Sequence, residues 1–223
     1  MLITLKFLEW GPFRNVKHWL RPLQFFVILM LQGCLVFAQQ KVIVIDPGHG
    51  GKDTGAIGIN QLQEKKVVLD IAMEIVTLNK TLFENRFDIY LTRYKDTLIS
   101  LRDRTELSKA LNADVFISLH CNHANNLNAR GIEVYAYNSE IQYSIESIWF
   151  AYALQAEFKE KLGFNNRGVK FANFQVLRET VDYCTTVLLE LGFLSNREEN
   201  DYLDRLSGLR AVALTIMECL SKI

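Results

Sequence analysis

Apolar residues recur along the chain in two arrangements, unbroken β-branched runs and stripes at helical spacing. Lys41-Val-Ile-Val-Ile-Asp46 is a continuous run and reads as a strand buried on both faces. Asp114-Val-Phe-Ile-Ser-Leu-His120 and Thr185-Thr-Val-Leu-Leu-Glu190 read the same way. Phe87–Thr92 and Gly131–Ala136 give two further strands, and Phe174–Leu177 is expected to be a short additional one. Between them, Val67, Val68, Ile71, Ile75, Leu78 and Leu82 mark a helix over Glu64–Phe83. Helices are also expected over Ser100–Leu111, with Ser100 as cap, over residues 139–162, and over Asp201–Leu220. Strands alternating with helices predict a three-layer α/β/α single domain, with a largely parallel twisted sheet flanked by helices. No repeat or low-complexity linker divides it.

The first forty residues have a different pattern. Lys6, Arg14, Lys17 and Arg21 face a single acid, Glu9, and an apolar run from Phe25 to Ala38 follows. That run is about fourteen residues, short of the roughly twenty a membrane-spanning helix needs. It ends in Val36-Phe37-Ala38, with Val36 and Ala38 at the two positions a signal peptidase reads. Residues 1–38 therefore read as a secretory signal and 39–223 as the exported domain. An uncleaved membrane anchor and lipidation at Cys34 are the competing readings, and against lipidation Gln32 is a poor residue.

Charge excludes one function class. Basic and acidic residues balance at 25 each over the 223 residues, so the basic footprint of a nucleic-acid binder is missing. Beyond the leader three cysteines remain, Cys121, Cys184 and Cys219. Their odd number and irregular spacing argue for buried free thiols rather than a disulfide framework.

Candidate chemistry gathers where strands end. His49 follows the first strand, His120 ends the third, and Glu190 ends the last. In an open parallel sheet, ligands bind beyond the carboxyl ends of the strands. His49 lies in Asp46-Pro-Gly-His-Gly-Gly51, whose spacing fits neither a Walker loop nor a dinucleotide fingerprint. His120 opens His120-Cys-Asn-His123, but neighbours on a strand point to opposite faces, so Cys121 and His123 are expected outside the site. A catalytic zinc takes three protein ligands and leaves one position open. The imidazoles are at hand; for the carboxylate, Asp46, Glu64, Glu133 and Glu190 all compete.

At this point the chain resembles the zinc-dependent N-acetylmuramoyl-L-alanine amidases of the third type, the cell-wall amidase group. The likeness runs from about Lys41 to Leu220. It is carried by Val44-Ile-Asp-Pro-Gly-His-Gly-Gly-Lys-Asp53, Glu64-Lys, Leu91-Thr-Arg93, Ile117-Ser-Leu-His-Cys-Asn122, Ala129-Arg-Gly-Ile-Glu-Val-Tyr135, Arg167-Gly-Val-Lys170 and Leu189-Glu-Leu-Gly-Phe-Leu-Ser-Asn196. Cys121 and His123 depart from the family's usual residues. The resemblance implies Zn²⁺ held by His49, Glu64 and His120, with Glu190 as general acid and base. It implies peptidoglycan as substrate, cleaved between the lactyl group of N-acetylmuramic acid and L-alanine. The leader predicts export to the periplasm or cell-wall space, and a monomer is expected. Asn122 is expected to orient substrate. Some relatives carry an extra helix that plugs the site; here the interval from Tyr137 to Gly163 reads as one ordinary helix, so an open site needing no activator is expected. A zinc peptidase on wall peptides and a non-catalytic wall-binding module are the rival readings.

Overall fold

A computed structural model describes residues 40–223; the expected secretory leader lies outside them. In chain order the strands are β1 (Val42–Pro47), β2 (Asp88–Leu91), β3 (Val115–Asn122), β4 (Ile132–Ala136), β5 (Asn166–Phe171) and β6 (Thr185–Phe193). The helices are α1 (Glu64–Thr81), α2 (Leu101–Ala110), α3 (Gln142–Leu162), α4 (Gln175–Thr180), α5 (Arg197–Leu203) and α6 (Leu206–Leu220). They form the expected α/β domain, with one six-stranded sheet in the order β2-β1-β3-β6-β4-β5.

The apolar runs become strands because both of their faces are covered. Ile43 and Ile45 turn to one face of β1 and Val44 to the other, and all three are fully buried. One face carries a broad apolar core beneath α1, α3 and α6, built from residues such as Ile71, Ile117, Leu154, Leu189 and Ile216. The other carries only Val44, Ala113, Phe116, Val176, Leu177, Cys184 and Leu188, beside α2 and α4. The helical layer over this thin face is short, and its open end becomes the functional site.

β1, β2, β3 and β6 run parallel, while β4 pairs antiparallel with β6 and carries β5 parallel to itself. Glu133 of β4 thereby faces Glu190 of β6, which in turn faces His120 of β3. Residues opposed in this way point to the same side of a sheet. His120, Glu190 and Glu133 thus form one row across three strands, on the thin face.

Two expectations are corrected. Phe174–Leu177 is not a strand: Gln175–Thr180 is helical, and it buries Val176 and Leu177 together, as a short helix does and an alternating strand does not. The fifth strand lies earlier, at Asn166–Phe171, an edge segment that is nowhere fully buried. The C-terminal helix is also two helices. Arg205 takes an extended conformation (φ −94°, ψ 136°) between them. Six residues of one helix would place Leu203 and Leu209 on different faces; the break lets both turn into the core.

Candidate active site

The loop after β1 delivers His49 to the carboxyl edge of the sheet. His49 itself is left-handed (φ 59°), a conformation that costs a non-glycine residue and persists only when its surroundings enforce it. Two buried arginines supply the enforcement. Arg104 of α2 donates to the carbonyls of Pro47 and His49 at 2.8 Å. Arg93, just beyond β2, donates to those of Pro47 at 2.9 Å and Gly48 at 2.8 Å. Arg104 is balanced by Asp46, which also accepts from Thr92 and Ser118.

Glu64 begins α1 and points back over the sheet edge. Its Oε1 lies 3.0 Å from His49 Nε2 and 2.9 Å from His120 Nδ1. Backbone N–H groups fix the carboxylate, Cys121 donating to Oε1 at 2.9 Å and Ala56 to Oε2 at 2.7 Å. His49 Nδ1 meets Asp53 Oδ2 at 2.9 Å, a contact that orients the ring so that Nε2 is the nitrogen facing Glu64 and His120. Two glycines clear the space. A Cβ at Gly48 would come within 2.4 Å of the His120 ring, and one at Gly55 within 2.4 Å of Glu64 Oε2.

These three side chains fit a divalent cation. One ligand atom from each lies within 4.8 Å of the others, and among the described residues no other group of this kind gathers. Tetrahedral zinc with ligands near 2.0–2.1 Å separates those ligands by roughly 3.3 Å, a spacing the cluster reaches with small side-chain shifts. Its electrostatics favour positive charge. Burial works to lower the pKa of His49, but Glu64 and Asp53 outweigh it and push the imidazole up to about 9. Burial likewise works to raise Glu64, yet hydrogen bonds from His120 and His49 hold it far below the usual carboxylate range.

Four carboxylates competed for roles at this edge, and their partners separate them. Asp46 is committed to Arg104, Thr92 and Ser118. Glu133 accepts from Arg167 at 2.7 Å, Tyr135 at 2.9 Å and Asn122 at 3.0 Å, and pairs with Lys170 at 2.6 Å. Against the pull of burial these donors hold it down at about 2, so it is a fixed anion with no acceptor position to spare. Glu64 faces the two imidazoles. Glu190 alone keeps a buried oxygen, Oε2, without any hydrogen-bond partner. Burial pushes its pKa up to about 7, with His120 opposing and the Glu64 and Glu133 charges adding to the rise.

His49, His120 and Glu190 line one cleft of about 800 Å³, walled by Leu98, Ile99, Leu101 and Phe174. Asn122 is not among the residues lining it; its amide N–H donates to Glu133 at 3.0 Å. Cys121 is buried on the opposite face and His123 is exposed, so neither joins the cluster. Cys184 and Cys219 are buried free thiols as well. A larger hollow of about 920 Å³ lies at the other edge of the sheet, lined by Lys109, Tyr143, Trp149 and Tyr183, and holds no metal-type donor set. Sequence reasoning missed Asp53, Arg93 and Arg104 as supports of the site. The only signal was an arginine next to a strand end, at Arg93.

Fold and cluster together define an α/β protein with a candidate metal centre and an unpaired acid at the carboxyl edge of its sheet. The chain belongs to the N-acetylmuramoyl-L-alanine amidase family, whose model matches residues 43–222. It is 34% identical over 171 residues to the sporulation-specific N-acetylmuramoyl-L-alanine amidase of Bacillus subtilis, covering 77% of this chain and 63% of that protein. It is 38% identical to a cell wall amidase of Bacillus anthracis, of which the match covers 32%. The chain thus spans from about a third to just under two thirds of these relatives. Among solved structures it resembles the catalytic domain of CwlV, an N-acetylmuramoyl-L-alanine amidase from Bacillus (Paenibacillus) polymyxa. That match has a TM-score of 0.73 at 34% identity, over 82% of this chain and 97% of that domain.

Proposed function

We propose that this chain hydrolyses the amide bond between the lactyl group of N-acetylmuramic acid and L-alanine in peptidoglycan. On this reading His49, Glu64 and His120 hold Zn²⁺ and Glu190 is the general acid and base. The observation that carries it, within a chain of this family, is the unpartnered Oε2 of Glu190 in the cleft lined by His49 and His120.

When bound, the metal lowers the pKa of a water and polarises the amide carbonyl. Glu190 Oε2 takes the proton released by the water and returns it to the departing nitrogen of L-alanine. Burial raises this carboxyl above the ordinary glutamate range, which suits it to both transfers. Asp53 keeps the proton on His49 Nδ1, so that Nε2 remains a ligand. Asn122, held by Glu133, offers its free amide groups to the substrate. The apolar wall of Leu98, Ile99, Leu101 and Phe174 limits water around the scissile bond.

Three further expectations belong to the same reading. Residues 1–38 export the chain, the protein acts as a monomer, and its site is open without an activator. The last is supported by α3, which packs on the thick face, away from the cleft.

The test is zinc content together with mass spectrometry of peptidoglycan digested by the full chain. One zinc per chain and intact stem peptides released from glycan are expected. Cleavage within the stem peptide would replace the amidase with a peptidase, and metal-free, inert protein would leave a wall-binding module.

A further inference from the structure

The row that carries His120 and Glu190 does not stop at Glu190. One strand further, on β4, Glu133 occupies the next position and gathers two cations from β5. Arg167 Nε and Lys170 Nζ both reach back to its Oε1, at 2.7 and 2.6 Å. One carboxylate cannot neutralise two cations, so the cluster retains a surplus positive charge. Donors remain as well. Among the described residues no second acceptor engages the Lys170 ammonium, and the Arg167 Nη2 group is also free. Both side chains are 38% exposed, and the Arg167 guanidinium is held over the Phe193 ring, 5.0 Å from its centre. Arg130, whose carbonyl accepts from Arg167, pairs its own side chain with Glu198.

We propose that Arg167 and Lys170 form a carboxylate subsite beside Glu190, which takes a carboxylate of the stem peptide on the leaving side of the bond, with Glu133 positioning both cations. The inference rests on the amidase reading above. Glu190 protonates the departing nitrogen on that reading, so the released peptide lies toward Glu190 and beyond it toward β4 and β5. The sugars of the glycan are neutral, whereas stem peptides carry carboxylates. β4 lies one strand spacing past β6, about 4.8 Å. An extended peptide advances roughly 3.3–3.6 Å per residue. The cations therefore meet a carboxylate one to two residues beyond the cleaved amide.

The experiment compares two substrates of the zinc-loaded full chain, N-acetylmuramoyl-L-alanyl-D-glutamate and the same compound with both carboxylates converted to carboxamides. The wild-type protein is expected to favour the diacid by about tenfold in kcat/KM, through KM, as suits a charge-assisted hydrogen bond. In Lys170→Gln and Arg167→Gln that preference shrinks to within about twofold, and Lys170→Arg restores it. A merely structural role for the two cations would lower both substrates equally and keep their ratio, which overturns the subsite. So does a wild-type protein that cleaves both substrates equally well. A wild-type protein that cleaves neither overturns the amidase reading itself.

Discussion

The two faces of the sheet do different work with the same strands. On the thick face, alternate residues of β1, β3 and β6, such as Ile43, Ile45, Ile117, Leu119, Val187 and Leu189, enter an apolar core closed by three helices. On the thin face the intervening residues include Asp46, Ser118, His120 and Glu190, and only a small apolar cluster backs them. Because side chains alternate along a strand, stability and chemistry are separated by one peptide unit. A face with less helix over it has fewer apolar contacts to contribute, but it leaves room for a cleft.

The pair Leu189 and Glu190 gives the sharpest way to break this comparison. Glu190→Gln is expected to keep zinc and fold while losing activity by two to four orders of magnitude, roughly the range for a general base. Protonation should act as the substitution does. Burial pushes this carboxyl up to about 7, and a bound cation pulls it lower. Below that value the base is occupied, so kcat/KM should fall about tenfold per pH unit, and that acid limb should vanish in the variant. In the metal-free chain the sign for stability is opposite. Ionised Glu190 becomes a cost once pH rises above the ordinary glutamate value near 4.5, and the cost is complete above about 7. Glu190→Gln should therefore raise the melting temperature of metal-free protein more at pH 8 than at pH 5. Equal activity of variant and wild type would remove Glu190 from the chemistry.

Leu189→Ala changes the neighbouring residue on the other face. Leu189 is fully buried, and its register partners Leu119 and Val134 are too. Truncation should cost about 2–5 kcal/mol, read from chemical denaturation, while the specific activity of the folded fraction stays near wild type. If Leu189→Ala lost turnover without losing stability, the division between faces would be wrong.

Much of the fold was legible because a strand buried on both faces writes an unbroken apolar run. β1, β3 and β6 do so, and their ends brought His49, His120 and Glu190 to one edge. β5 wrote no such signal, being half-exposed along Asn166–Phe171, and the apolar stretch after it is too short to distinguish a strand from the short helix α4 that it forms. Glu64 was not selected by pattern, since its role comes from a helix start folding back over the sheet edge, and only the family resemblance pointed to it. The supports were hidden for the same reason. Arg104 reaches the His49 carbonyl across 55 positions of sequence, a contact that no local spacing encodes.

Asp53 tests one such support at a smaller scale. It touches the candidate metal cluster only through His49 Nδ1, at 2.9 Å. Asp53→Ala should weaken zinc affinity by about 10–100-fold through loss of ring orientation, measurable by competition with a chelator. At saturating zinc, activity should largely return. Failure of excess zinc to restore activity would mean that Asp53 acts on the substrate rather than on the ring.

The smallest effect is expected at Ser100, where the thin face depends on polar detail because its apolar contacts are few. α2 buries Arg104, Thr105 and Ser108 but no large aliphatic side chain, so packing contributes little to its first turn. That turn is closed instead by Ser100, whose hydroxyl accepts from the Asp103 N–H at 3.1 Å and donates to the Asp103 carboxylate at 2.7 Å. Ser100 and Leu101 also line the cleft. Ser100→Ala should cost about 1 kcal/mol, or roughly 2–4 °C in melting temperature for a domain of this size. Because Arg104 lies one turn further on and holds the His49 loop, fraying there should also weaken zinc binding in proportion. A cap has no counterpart of that consequence on the thick face: an equal loss of stability from a mild core truncation there, such as Ile216→Val, should leave zinc affinity unchanged. If both variants weakened zinc alike, the loop carrying His49 would depend on global stability and not on the thin-face helix that grips it.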